Sequence, residues 1–163
     1  MKELTFLMKL RKNRTIKLVE PSEEMKLSYL IKAENCLKSA RILFRNQLYE
    51  NSTSEAYYCM YNSLLSLLFK IWIKSENHSA SIILFKRLFM NEELLKIISW
   101  AKKERIDKQY YVETQQATDV TKESCNKMIL KSEYFLIKMK LLIKELSNEE
   151  VNSVRNSFTE LLE

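Results

Sequence analysis

The longest apolar segment of the chain runs from Ala56 to Ile73, where 14 of 18 residues are apolar and the exceptions are Asn62, Ser63, Ser66 and Lys70. Asn62, Ser66 and Lys70 recur every four residues, so on a helix they form one narrow polar stripe on an otherwise apolar cylinder. Such a helix has to be enclosed by others. Lys70 and the small polar groups make it a poor membrane span, because charge and unpaired polar groups are costly in hydrocarbon. The pattern predicts a central core helix.

Upstream, Pro21 is a clean boundary, and Ser22 followed by Glu23 and Glu24 is a favourable helix start. From about Ser22 to Asn46, Leu27, Leu30, Ala33 or Glu34, Leu37, Ala40 or Arg41 and Phe44 recur at three and four, giving one apolar stripe. The polar stretch Tyr49–Thr53 reads as a connector, with Ser52 to Ser54 as caps for the central helix. Two long amphipathic helices joined this closely predict an antiparallel hairpin.

Downstream, Ile82, Phe85 and Phe89 have the spacing of a short helix, and Asn91-Glu92-Glu93 reads as a cap and a new start. The helix that follows carries Leu94, Leu95, Ile98 and Trp100 or Ala101 and turns basic at Lys102, Lys103 and Arg105. Val112–Val120 is polar and unpatterned, which predicts a loop. Thr118 or Asp119 is expected to open a final long helix buried through Met128, Leu130 or Lys131, Phe135, Lys138 or Met139, and Leu142. Ser147-Asn148-Glu149-Glu150 has the form of a capping box before a short terminal helix with Val151, Val154, Phe158 and Leu161.

Composition sharpens this to an all-α reading. The 163 residues include no Gly and one Pro. Tight hairpin turns and phosphate-cradling loops both need Gly, so a Gly-rich nucleotide loop is excluded. Three scattered cysteines and one His fit reduced thiols in a cytoplasmic protein and make a zinc site improbable. No apolar run followed by a cleavage site marks the N-terminus, so no signal peptide is expected.

The net charge of +6 is unevenly spread. Residues 1–20 carry six cations against two carboxylates, and residues 147–163 four carboxylates against one Arg. A basic arm for RNA and a solvated end pairing with an acidic neighbour both fit that asymmetry.

The run Ala56-Tyr57-Tyr58-Cys59-Met60-Tyr61-Asn62, then Leu and aromatics, then Asn77-His78-Ser79-Ala80-Ser81, resembles the central motif of HEPN domains. The resemblance extends from about Ser22 to Leu146. It implies a four- to five-helix antiparallel bundle over residues 21–146, flanked by a basic extension (1–20) and a short C-terminal helix (147–163). It also implies a homodimer acting as the partner of a minimal nucleotidyltransferase in a toxin–antitoxin or related regulatory pair, with no cofactor, metal or membrane.

HEPN ribonuclease toxins pair an Arg with a His about four to six residues away, the His taking a ribose proton while the guanidinium stabilises phosphorane charge. Arg105 matches the first position, and Tyr110 falls where the His belongs. A phenol with a pKa of about 10 is a poor base at neutral pH. Arg followed by Tyr also occurs in related HEPN families. The resemblance thus implies a basic, aromatic RNA- or nucleotide-contacting groove of Lys102, Lys103, Arg105, Lys108, Tyr111 and His78. Metal-independent endoribonuclease action through Arg105 and Tyr110 is the alternative, as is non-catalytic RNA binding.

His78, the sole imidazole, also reads, together with Asn77, as a cap that ends the central helix and starts the next one. Tyr57, Tyr58 and Tyr61 read as a packing seam whose hydroxyls need partners, Asn62 being one candidate. Finally, Ile71-Trp72-Ile73, Phe85, Phe89 and Trp100 exceed what one four-helix core needs. An isologous interface would bury them and bring two Arg105 segments together.

Overall fold

The computed structural model describes residues 2–110 and 120–162, with side chains described to Arg105 and again from Val120. The expected loop Val112–Val120 lies outside this range except for Val120. Among the described residues the element order is α1 (Lys2–Lys12), β1 (Ile16–Leu18), α2 (Glu23–Arg45), α3 (Tyr49–Lys70), β2 (Ile73–Ser75), α4 (His78–Phe89), α5 (Glu92–Tyr110), α6 (Lys122–Glu145) and α7 (Asn148–Leu162). The fold is all-α, with one short ribbon.

α3 is the enclosed helix. It packs against α2, α4, α5 and α6, and every residue from Cys59 to Phe69 is buried. Its polar stripe faces α2 rather than solvent. Ser66 donates to the Lys26 carbonyl at 2.8 Å, while Asn62 donates to the Tyr58 carbonyl at 2.7 Å and reaches the Cys36 sulfur at 3.7 Å. Ala33 and Ala40 of α2 are wholly buried, and small residues there let the two helices approach closely.

Two boundaries differ from the sequence expectation. α3 begins at Tyr49, so Tyr49–Thr53 forms its first turn and not a connector. Ser52 caps nothing: its hydroxyl is buried and donates across to the Ala40 carbonyl at 2.7 Å, tying α3 to α2. The turn lies one step earlier, at Gln47, which takes a left-handed conformation. α6 is capped by Thr121, whose side chain accepts from the Ser124 amide, rather than opened by Thr118 or Asp119. The other caps are where the sequence puts them: Ser22 on Met25, Asn91 on Leu94, and the reciprocal Ser147–Glu150 box.

The N-terminal segment joins the body. β1 pairs antiparallel with β2 in the register Ile16↔Ser75 and Leu18↔Ile73, Ile16 and Leu7 are buried, and α1 packs on α4 and α7. This covering changes the picture of the surplus apolar groups. Ile71, Ile73 and Phe85 are fully buried within the single chain, and Trp72 lies under the Arg155 guanidinium of α7 at 3.9 Å. Trp100 lies under Lys127 and Lys131 of α6. Ile71, Ile73 and Phe85 thus leave the sequence-based patch, while Trp72, Phe89 and Trp100 are half-buried. Conversely Leu27 and Leu130, read as core positions, are half exposed.

A chain without Gly must place other residues where the backbone turns left-handed. Arg14, Gln47, Trp72 and Met90 do so, each at the end of a helix or beside the ribbon. A side chain in this region costs roughly 1–2 kcal/mol. Met90, the C-cap of α4, is 80% exposed, so its side chain packs on little in return. Met90→Gly should therefore raise the unfolding free energy by about 1 kcal/mol in denaturant titration. No change, or a loss, would show that the exposed side chain contributes to packing.

Candidate phosphate-contacting site

The N-terminal half of α3, the start of α4 and the middle of α5 meet at one cluster. α3 contributes Tyr57, Tyr58 and Tyr61, α4 contributes His78 and Ser79, and α5 contributes Lys102 and Arg105. The local reasons are plain. Asn77 caps α4 by accepting from the Ala80 amide at 2.9 Å, which fixes His78 and Ser79 in the first turn. Lys102 and Arg105 are three apart on α5 and so share a face.

Arg105 donates to the Tyr58 hydroxyl at 2.9 Å, and its guanidinium carbon stands 4.8 Å from the Tyr58 ring centre and 5.4 Å from that of Tyr57. Cation–π contacts of this kind contribute about 0.5–2 kcal/mol, more as water is excluded. The Arg105 Nε is buried and has no hydrogen-bond partner. Among the described residues the guanidinium meets aromatic faces and a hydroxyl, with no carboxylate against it.

His78 stacks on Tyr61, with ring centres 3.7 Å apart, and its Nδ1 lies 2.7 Å from the Tyr57 hydroxyl. Burial, then the positive charges of Arg105 and Lys102, push the imidazole pKa down to about 4. Burial pushes the Tyr57 phenol up. At neutral pH His78 is therefore uncharged and Tyr57 keeps its proton. The Tyr57 hydroxyl and Nδ1 share this hydrogen bond, and the imidazole tautomer decides which of them donates. With its pKa held down to about 4, the imidazole is a weak general base.

Lys102 donates to the Ser79 hydroxyl, and burial lowers its pKa. It lines a cleft of about 360 Å³ between α4 and α5, with Ile82, Ile83, Leu95 and Ser99, and Glu3 and Lys86 at its mouth. A larger groove of about 650 Å³ runs between α2 and α6, away from this cluster and flanked by the ion pairs Arg41–Glu133 and Lys140–Glu34.

The sequence-derived set is thus partly assembled. Lys102, Arg105 and His78 come together; Lys103 is exposed on α5. The side chains of Lys108 and Tyr110, and all of Tyr111, lie outside the described residues. The hydroxyl partners of the tyrosines are not Asn62, which is turned towards α2. They are His78 for Tyr57 and Arg105 for Tyr58. Sequence reasoning passed over Ser79 and treated Tyr57 and Tyr58 as packing only. The signal was the spacing itself: adjacent tyrosines on a helix point to two neighbouring faces, so one seam cannot absorb both.

The His78 environment makes stability depend on pH in a defined direction. The unfolded imidazole titrates near its ordinary value of 6.5 and the folded one at about 4, so the unfolded chain binds the extra proton between these values. Stability should be full above about pH 6.5 and fall as pH drops towards 4. Denaturant titrations at pH 7 and 5 should show that fall, and His78→Gln should reduce it. An unchanged fall would place the titration elsewhere.

Two comparisons fit this geometry. The family model for the HEPN domain matches residues 27–145. A Methanocaldococcus jannaschii protein named "Putative toxin MJ0605" is 31% identical over 117 residues, covering 70% of this chain and 85% of its own length. The matched region spans α3, α4 and α5, and with them the whole cluster around Arg105. The chain belongs to the HEPN domain family.

Proposed function

We propose that this chain is the toxin-type member of a two-protein regulatory pair and that it acts by holding a phosphate of RNA or of a nucleotide at Arg105. The observation that carries the reading is the state of that guanidinium. It is held between two tyrosine rings, one of its nitrogens is buried without a partner, and no carboxylate neutralises it among the described residues. A structural arginine normally spends its fork on a carboxylate; one left open in this way suits an incoming oxyanion. The name borne by the M. jannaschii relative agrees with a toxin-type role.

Two further features come from the family and not from geometry: a homodimer that brings two Arg105 segments into one groove, and a minimal nucleotidyltransferase as the partner. Juxtaposed guanidinium groups repel one another, so such a groove favours a polyanion or an acidic partner surface.

A metal-independent ribonuclease is the second reading. It is favoured by the presence of the only imidazole in the same cluster as Arg105. It is weakened by the low basicity of that imidazole, whose pKa burial and the neighbouring cations hold down to about 4.

One experiment separates them. Arg105→Ala should weaken binding of single-stranded RNA by tenfold or more, since a hydrogen bond to a charged group contributes roughly 1.5–3 kcal/mol and about 1.4 kcal/mol is tenfold. Fluorescence anisotropy reads this directly, and a thermal melt checks that the variant folds. Equal affinity for the folded variant would remove Arg105 as the phosphate contact. Cleavage of the same RNA by the wild type in chelator, lost in Arg105→Ala, would establish the second reading instead.

A further inference from the structure

Among the described residues, Arg105 is not the only positive charge in this cluster without a counter-charge. Lys102 stands one helical turn before it on α5, on the same face, where side chains lie about 5–6 Å apart at Cβ. Each reaches a neutral hydroxyl: Lys102 that of Ser79, Arg105 that of Tyr58. Between them stands His78, adjacent to Ser79 in sequence and influenced by both charges. Being neutral, it offsets neither.

Two cations at this spacing repel by a few tenths of a kcal/mol on an exposed helix, and by more where water is partly excluded. Nothing negative among the described residues relieves them. The other cation of the cleft, Lys86, is committed to Glu3 at 2.9 Å, as is Arg87 just outside it. Lys102 is therefore the cleft's uncommitted charge among the described residues. Beyond it the lining turns apolar through Ile82, Ile83 and Leu95, with the Ser99 hydroxyl beside them. A ligand matching this gradient has a phosphate at the Lys102 end and a flat, weakly polar body behind it. A cleft of about 360 Å³ admits one nucleotide unit of a single strand and excludes a duplex.

We propose that Lys102 and Ser79 form a second phosphate subsite, so that a single strand held at Arg105 is also gripped at a neighbouring phosphate, with one nucleotide entering the cleft between α4 and α5. The inference rests on the reading that Arg105 holds a nucleic-acid phosphate. It adds a length requirement: the ligand is a strand and not a mononucleotide.

The test is the salt dependence of affinity for a labelled single-stranded oligouridylate, compared among wild type, Arg105→Ala, Lys102→Met and Lys102→Arg. Each phosphate contact on a single strand contributes about 0.7 to the slope of log affinity against log salt. Lys102→Met should make the slope shallower by about 0.7, whereas Lys102→Arg, which keeps the charge, should leave it unchanged. Mass spectrometry gives a second reading on the unaltered protein. Saturating oligouridylate should protect the Lys102 amine from acylation, and free uridine should not.

A wild-type slope that Arg105→Ala reduces and Lys102→Met leaves alone overturns the subsite while the Arg105 reading stands. A flat wild-type slope overturns both. If Lys102→Met fails to fold, the protection experiment decides: an amine acylated equally fast with and without the strand overturns the proposal.

Discussion

A helix apolar on nearly every side can exist in water only inside other helices, and α3 imposes that condition on the whole molecule. Fully burying a Leu or Met side chain contributes about 1.5–3 kcal/mol, and α3 buries a continuous series of them. Three of its five buried polar positions face α2 or sit beside it and could have interrupted this enclosure. Instead Ser52 and Ser66 spend their hydroxyls on carbonyls of α2, and Asn62 satisfies itself on the Tyr58 carbonyl. The hairpin of α2 and α3 is thus held by apolar packing with polar groups placed where they pair. The remaining helices follow as cover, α4, α5 and α6 directly and α1 and α7 over the ends.

Enclosure also explains why the charged cluster lies where it does. The tyrosines on the N-terminal half of α3 are too polar at their tips to be sealed in silently. Each hydroxyl needs a partner, and the start of α4 and the basic segment of α5 supply them. The result is an aromatic floor that carries two cations and a neutral imidazole. Among the described residues that floor positions positive charge without cancelling it, since quadrupole and hydroxyl contacts hold a guanidinium while leaving its charge available. A carboxylate in place of Tyr58 would have held Arg105 more firmly and closed it to an oxyanion.

The missing glycines leave their own mark on the architecture. Helix ends that other chains finish with Gly are finished here by Gln47 and Met90, and the entry to the ribbon by Arg14 and Trp72. Trp72 recovers part of the cost through its contact with Arg155, and so fastens α7 to the turn after α3. The ribbon matters for the same reason. Pairing β1 with β2 brings α1 over α4, where Glu3 engages Lys86 and Arg87 at the mouth of the cleft beside Lys102.

Helix content, the identity of the core helix, four of the caps and the family were legible in the residues, because each is written in local spacing: period, cap chemistry, the Ala56–Asn62 motif. Arg105 and Lys102 were legible as a basic segment for the same reason. The start of α3 was not, since Tyr49–Thr53 is polar by composition and only the neighbouring helix shows that Ser52 is buried. Nor was the burial of Ile71, Ile73 and Phe85, since β1 pairs with the strand that holds Ile73 and α1 and α7 pack on the helix that holds Phe85. The state of His78 belongs to the same class. An imidazole's charge is set by what surrounds it, and Tyr57, Tyr61, Lys102 and Arg105 reach it from two other helices. Local spacing determines which elements form; which side chains end up dry, paired or charged depends on groups distant in sequence, and only the packing of those elements decides it.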